Sequence, residues 1–198
     1  METGLKEALR RFVEEKAVEG RVHKAGQELD VKLFYRYHEN EPEFEIAGLG
    51  PEIPANIRFR AQLVEACIDG GDWETIDEGD DLQVFMMLDP RVFYPIAERA
   101  KRQQAGTFSL VYRLADLHLS ISQKLQHLPS SQDELLQYFR TQYSTLPEEE
   151  QRAVQPWFML VTRSREAEFH LSDGRLSEMV LRELPPFEHS HLAVQFIY

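Results

Sequence analysis

"RFRAQLVEACIDGG", residues 58–71, sets how the middle of the chain is read. Leu63, Val64, Cys67 and Ile68 recur at the spacing of a helical stripe, and the run stops at Gly70-Gly71, where glycine suits the left-handed end of a helix. The pattern predicts a helix, the first of a central helical group over residues 58–145. "RVFYPIAERAKRQQAG" (91–106) and "TFSLVYRLADLHLSISQKLQHL" (107–128) extend the group by two helices, parted at Gly106 with Thr107 as N-cap. Ser131 and Glu134 make a capping box that opens "DELLQYFRTQY" (133–143), whose Leu135, Leu136, Phe139 and Tyr143 form an inward stripe. A further helical turn is expected after Pro147.

Upstream, Leu5, Leu9, Phe12, Val13 and Ala17 recur at helical spacing among charges, which predicts an amphipathic helix over residues 4–18 ending near Gly20. "LDVKLFYRYHENEPEFEIAGLG" (29–50) changes period. Val31, Leu33, Tyr35 and Tyr37 alternate with Lys32, Arg36 and His38, "HENEP" breaks the run, and Phe44 and Ile46 bring it back, so a β-hairpin is expected near residues 29–47. Downstream, "WFMLVTRS" (157–164) is densely apolar, Ala167, Phe169 and Leu171 alternate inward, and Asp173-Gly174 fits a tight turn into "RLSEMVLREL" (175–184). With "HLAVQFIY" (191–198) this gives three or four antiparallel strands. No repeat or linker-like segment divides the chain. The expectation is a single α+β domain over residues 1–198: N-terminal helix and β-hairpin, central helical group, C-terminal antiparallel sheet.

A chain of 198 residues with 42% apolar content can bury an ordinary core without disulfide or metal. The charged N-terminus "METGLKEALRRFVEEKAVEG" does not read as a signal peptide, and no apolar run is long enough to span a bilayer. One cysteine, Cys67, forms no internal disulfide, which fits the cytoplasm. A formal net charge of −12 repels nucleic acid and anionic membranes and attracts basic proteins. Arg99, Lys101 and Arg102 are read as cations at the end of a helix, with Arg10 and Arg11 set between acids, so no basic face for nucleic acid emerges.

The chain carries no GxGxxG, P-loop, HExxH, CxxC pair or GxSxG elbow, so no cofactor is expected. Cys67 is expected to be a small buried hydrophobe beside Glu65 and Asp69 rather than a nucleophile. His189 and His191, with Glu188 or His170 added from a neighbouring strand, are short of the three or four ligands of a zinc site, so no metal is expected either. The strongest candidate is "DGGDWETIDEGDD", residues 69–81, with seven carboxylates around Trp73. It lacks the alternating ligands and terminal Glu of a calcium loop. Trp73 as an aromatic anchor, with Glu74, Asp77, Glu78, Asp80 and Asp81 steering a basic partner, makes a protein-binding face. The function expected is a non-enzymatic, acidic adaptor, inhibitor or immunity-type protein that binds a basic protein. The alternative is a hydrolase or transferase with a site around Cys67 or the His189/His191 pair.

Overall fold

Val18, Gly20 and Val22 are buried while Glu19, Arg21 and His23 between them are not, the period of a strand rather than the end of a helix. The computed structural model describes residues 4–24, 27–39, 41–48, 55–60, 63–75, 88–117, 137, 141, 143–152, 155, 163–183 and 191–198. Helix α1 (Leu5–Glu14) buries Leu5, Ala8, Leu9 and Phe12. It is followed by β1 (Ala17–Lys24), β2 (Gln27–His38), β3 (Glu41–Ala47), β4 (Ala55–Arg60), β5 (Leu63–Ile68) and β6 (Trp73–Thr75). After a 3₁₀ helix over Pro90–Arg99 come β7 (Lys101–Gln104), β8 (Thr107–Arg113), β9 (Ser164–Ser172), β10 (Arg175–Glu183) and β11 (His191–Ile197).

All eleven strands belong to one antiparallel sheet in the order β6-β5-β4-β3-β2-β1-β11-β10-β9-β8-β7. Two meanders, one from each half of the chain, meet where β1 pairs with β11, Gly20 opposite Phe196 and Val22 opposite Val194. This corrects the expected α+β class with its central helical group. Residues 58–60, 63–68 and 73–75 are strands. The stripe Leu63, Val64, Cys67, Ile68 spans β5 alone, and where Gly70-Gly71 was expected to stop a helix the chain turns at Asp69-Gly70, with φ of 50° and 74°. Residues 107–113 are β8, whose Phe108, Leu110 and Tyr112 face Phe169, Ala167 and Arg165 across the ladder. Gly106 closes the β7–β8 turn at φ 69°, its carbonyl accepting from Leu171 N–H at 2.7 Å. Of the central helices, residues 118–136 lie outside the described residues. Residues 143–145 and 148–152 are helical, the latter after Pro147 as expected. The hairpin expected near 29–47 is β2–β3, and Asp173-Gly174 joins β9 to β10 with both φ positive, a type I′ geometry.

One face of the sheet is apolar and carries α1 and the 3₁₀ helix Pro90–Arg99. Phe12 of α1 meets Tyr35 and Phe196 edge-on at 5.3 and 5.1 Å, and Tyr35, Phe44 and Phe59 stack in sequence across β2, β3 and β4. Phe93 of the 3₁₀ helix meets Tyr112 and Phe169 edge-on at 5.0 and 5.3 Å. Each such buried side chain contributes about 1.5–3 kcal/mol, so this face outweighs exposed ion pairs at about 0–1 kcal/mol each. Asp89 caps the 3₁₀ helix and grips Arg91, whose guanidinium donates to the carbonyls of Arg36 and Glu43 at 3.0 Å each. Tyr35 adds a bond to the carbonyl of Leu88 at 2.6 Å. Together these contacts pin the 3₁₀ helix to the β2–β3 hairpin. No helix among the described residues is long and apolar enough to cross a membrane.

Candidate binding surface

The face opposite the helices is polar because every second residue of each strand points there. On β2 to β5 the register sets Arg36 opposite Glu43, Glu45 opposite Arg58, and Arg58 opposite Glu65. Arg36 pairs with Glu45 and lies 3.4 Å from Glu43, while Arg58 Nε donates to Glu65 at 2.9 Å. The Glu45, Arg58 and Glu65 side chains are only 12–15% exposed. Burial raises the Glu45 carboxyl above its ordinary range, Glu43 adding to the rise while Arg36 and Arg58 oppose it.

Trp73 closes this row. On β6 it lies opposite Cys67, and the guanidinium carbon of Arg58 sits 4.0 Å from the centre of its ring. The indole is half-buried and held by a cation that Glu65 in turn holds. Around it Asp69, Asp72 and Glu74 are exposed. Glu74 lies opposite Ala66, so it points to the other face from Trp73. Asp77, Glu78, Asp80 and Asp81 lie outside the described residues, and the structure places only the first part of the acidic stretch. Arg58 and Glu65 were missed in the sequence. They alternate with Ile57, Phe59 and Ala66, a period-two signal that changes phase between β4 and β5.

Cys67, expected to be buried, is half-buried on the polar face of β5 between Asn56 and Trp73, its thiol donating to the carbonyl of Gly71 at 3.1 Å. His189 and Glu188 lie outside the described residues. His191 is exposed at the start of β11 opposite Arg182, whereas His170 on β9 is bonded to Glu168 at 2.7 Å and lies opposite Glu178. Since Glu178 faces Gln195, the rows of His170 and His191 are four residues apart along β11, about 13 Å. The two histidines are not brought together. No group of three His, Cys, Asp or Glu among the described residues is arranged to hold a metal ion.

Arg99 ends the 3₁₀ helix and lies 3.6 Å from Asp116, but Lys101 and Arg102, expected on the same helix, form the exposed strand β7. No family model matches this chain, and no curated protein matches it. Its function therefore rests on its own residues.

Proposed function

We propose that the protein is a non-enzymatic binding protein of the adaptor, inhibitor or immunity type that takes a basic protein partner on the sheet edge at β6. The observation that carries this reading is Trp73, held half-buried by Arg58 on the outermost strand of the described residues, among exposed Asp69, Asp72 and Glu74. A fixed aromatic costs little entropy to use as an anchor, and surrounding carboxylates speed the approach of a basic surface. Asp77, Glu78, Asp80 and Asp81 extend the acidic run along the sequence. An unpaired Cys67 fits a reducing setting, and the cytoplasm is the compartment proposed.

The test takes a basic partner captured from the native cell at low salt and measures it against purified variants. Trp73→Ala should weaken binding through faster dissociation, and reversal of Asp80 and Asp81 to lysine should slow association and flatten its salt dependence. Losing the stack on Arg58 should also cost Trp73→Ala about 0.5–1 kcal/mol of stability, so affinity is referred to folded protein. Unaltered affinity in both variants would overturn the proposal.

A further inference from the structure

The strand order of the described residues ends on β6 at one side and β7 at the other, and the two edges differ in charge. β7 reads Lys101-Arg102-Gln103-Gln104, all four exposed. β6 reads Trp73-Glu74-Thr75, with Asp69, Asp72 and Glu74 exposed. An edge strand presents unpaired N–H and C=O groups to any strand that can lie beside it. Across such a pair opposite charges attract and like charges repel.

We propose that the protein recognises a second copy of itself head to tail, the basic β7 of one molecule adding to the acidic β6 of the next. The proposal rests on reading β6 as an acidic docking edge and names an occupant for it. Matching edges exclude one another. β7 against β7 in an antiparallel pair would set Lys101 and Arg102 opposite the glutamines but gather four cations into one short ladder, and β6 against β6 would set Glu74 against Glu74. A twofold dimer through either edge is therefore disfavoured, leaving the unlike contact, which repeats into a chain or closes into a ring. With 3 residues in β6 and 4 in β7 the contact is short, so association is weak and depends on concentration and salt.

Sedimentation velocity of the full chain tests this, over a range of concentrations at about 20 mM and about 500 mM salt. Average mass should rise with concentration at low salt and fall back to the monomer at high salt. Lys101→Glu with Arg102→Glu, and separately Asp72→Lys with Glu74→Lys, should each need about tenfold more protein to associate. An equal mixture of the two double variants should associate again, since each then supplies the edge that the other lacks. Circular dichroism and melting temperature confirm that the exposed substitutions leave the fold intact. A wild-type chain that stays monomeric at low salt, double variants that associate like wild type, or folded variants that fail to associate when mixed would each overturn the proposal. A lysine-rich strand peptide binding at β6 of a monomeric wild type would discard self-recognition while keeping the basic-partner reading. Association that survives Trp73→Ala and the acidic reversals would instead count against β6 itself.

Discussion

Gly20 sits where no other residue fits without displacement. A Cβ there would stand 3.0 Å from Cγ1 of Val194, 3.1 Å from Cε2 of Tyr35 and 3.2 Å from Cβ of Leu33. Gly20→Ala is expected to cost about 1–3 kcal/mol and Gly20→Val more, read as a lower denaturant midpoint at unchanged slope. The same glycine reads from sequence as a helix stop, because an absent side chain serves a helix end and a crowded strand equally. Asp-Gly was ambiguous in the same way: at residues 173–174 the alternation of Ala167, Phe169 and Leu171 before it exposed the turn, and at residues 69–70 a spurious helical stripe hid it. Trp73 stood out in the sequence among its carboxylates, but Arg58, on which it stacks, did not, since their contact crosses two strand pairings that only the folded sheet creates. Arg91 makes a second residue-level prediction. Removing it leaves Asp89 buried without its cation and two backbone carbonyls without their donor, so Arg91→Met should lose about 3–5 kcal/mol. Arg91→Lys should recover little of that, since a single ammonium cannot span the fork. Thermal unfolding of both variants checks the order.

The hairpins differ in how openly the chain announces them. β2–β3 alternates cleanly on both strands, whereas β10 carries a register shift between Leu176 and Glu178, β5 resumes out of phase with β4, and β8 runs straight into the short 3₁₀ helix Leu114–Leu117. The misreading of residues 58–60, 63–68 and 107–113 as helix follows from that loss of phase. Two carboxylates at these elements should shape stability against pH in opposite ways. Burial alone would raise Asp116 in the short 3₁₀ helix after β8, but the Arg113 side-chain and backbone bonds, with the Arg113 and Arg99 charges, hold it below its ordinary 3.8. Its contribution is present above 3.8 and is lost as pH falls through the lower folded value. Glu45 on β3 is raised above 4.5, so its contribution is full below that value and is lost as pH rises through the folded one. In urea titrations from about pH 2 to 7, Asp116→Asn should abolish part of the acid loss. Glu45→Gln should flatten the decline above 4.5 and be no less stable than wild type at neutrality.

Acidity is not spread evenly over the molecule. The polar face of the sheet pairs its charges internally, Arg36 with Glu45, Arg58 with Glu65 and Arg182 with Glu168, so much of the net −12 falls elsewhere, as in the acidic stretch after β5. The whole architecture turns on the seam between β1 and β11. Removing residues 191–198 deletes a strand from the middle of the sheet, and with it Val194, Phe196 and the bond from Tyr198 to the carbonyl of Leu176. That truncation should abolish cooperative unfolding and near-ultraviolet circular dichroism. The seam also has a history. β1 is synthesised well before β11, and at about 5–20 residues per second roughly ten to thirty seconds separate them on the ribosome. For that interval the future centre of the sheet is an open margin, with the bare backbone edge of β1 available to any passing strand. Chaperone occupancy on nascent chains halted before residue 191 should rise accordingly, and fall once His191–Ile197 has emerged.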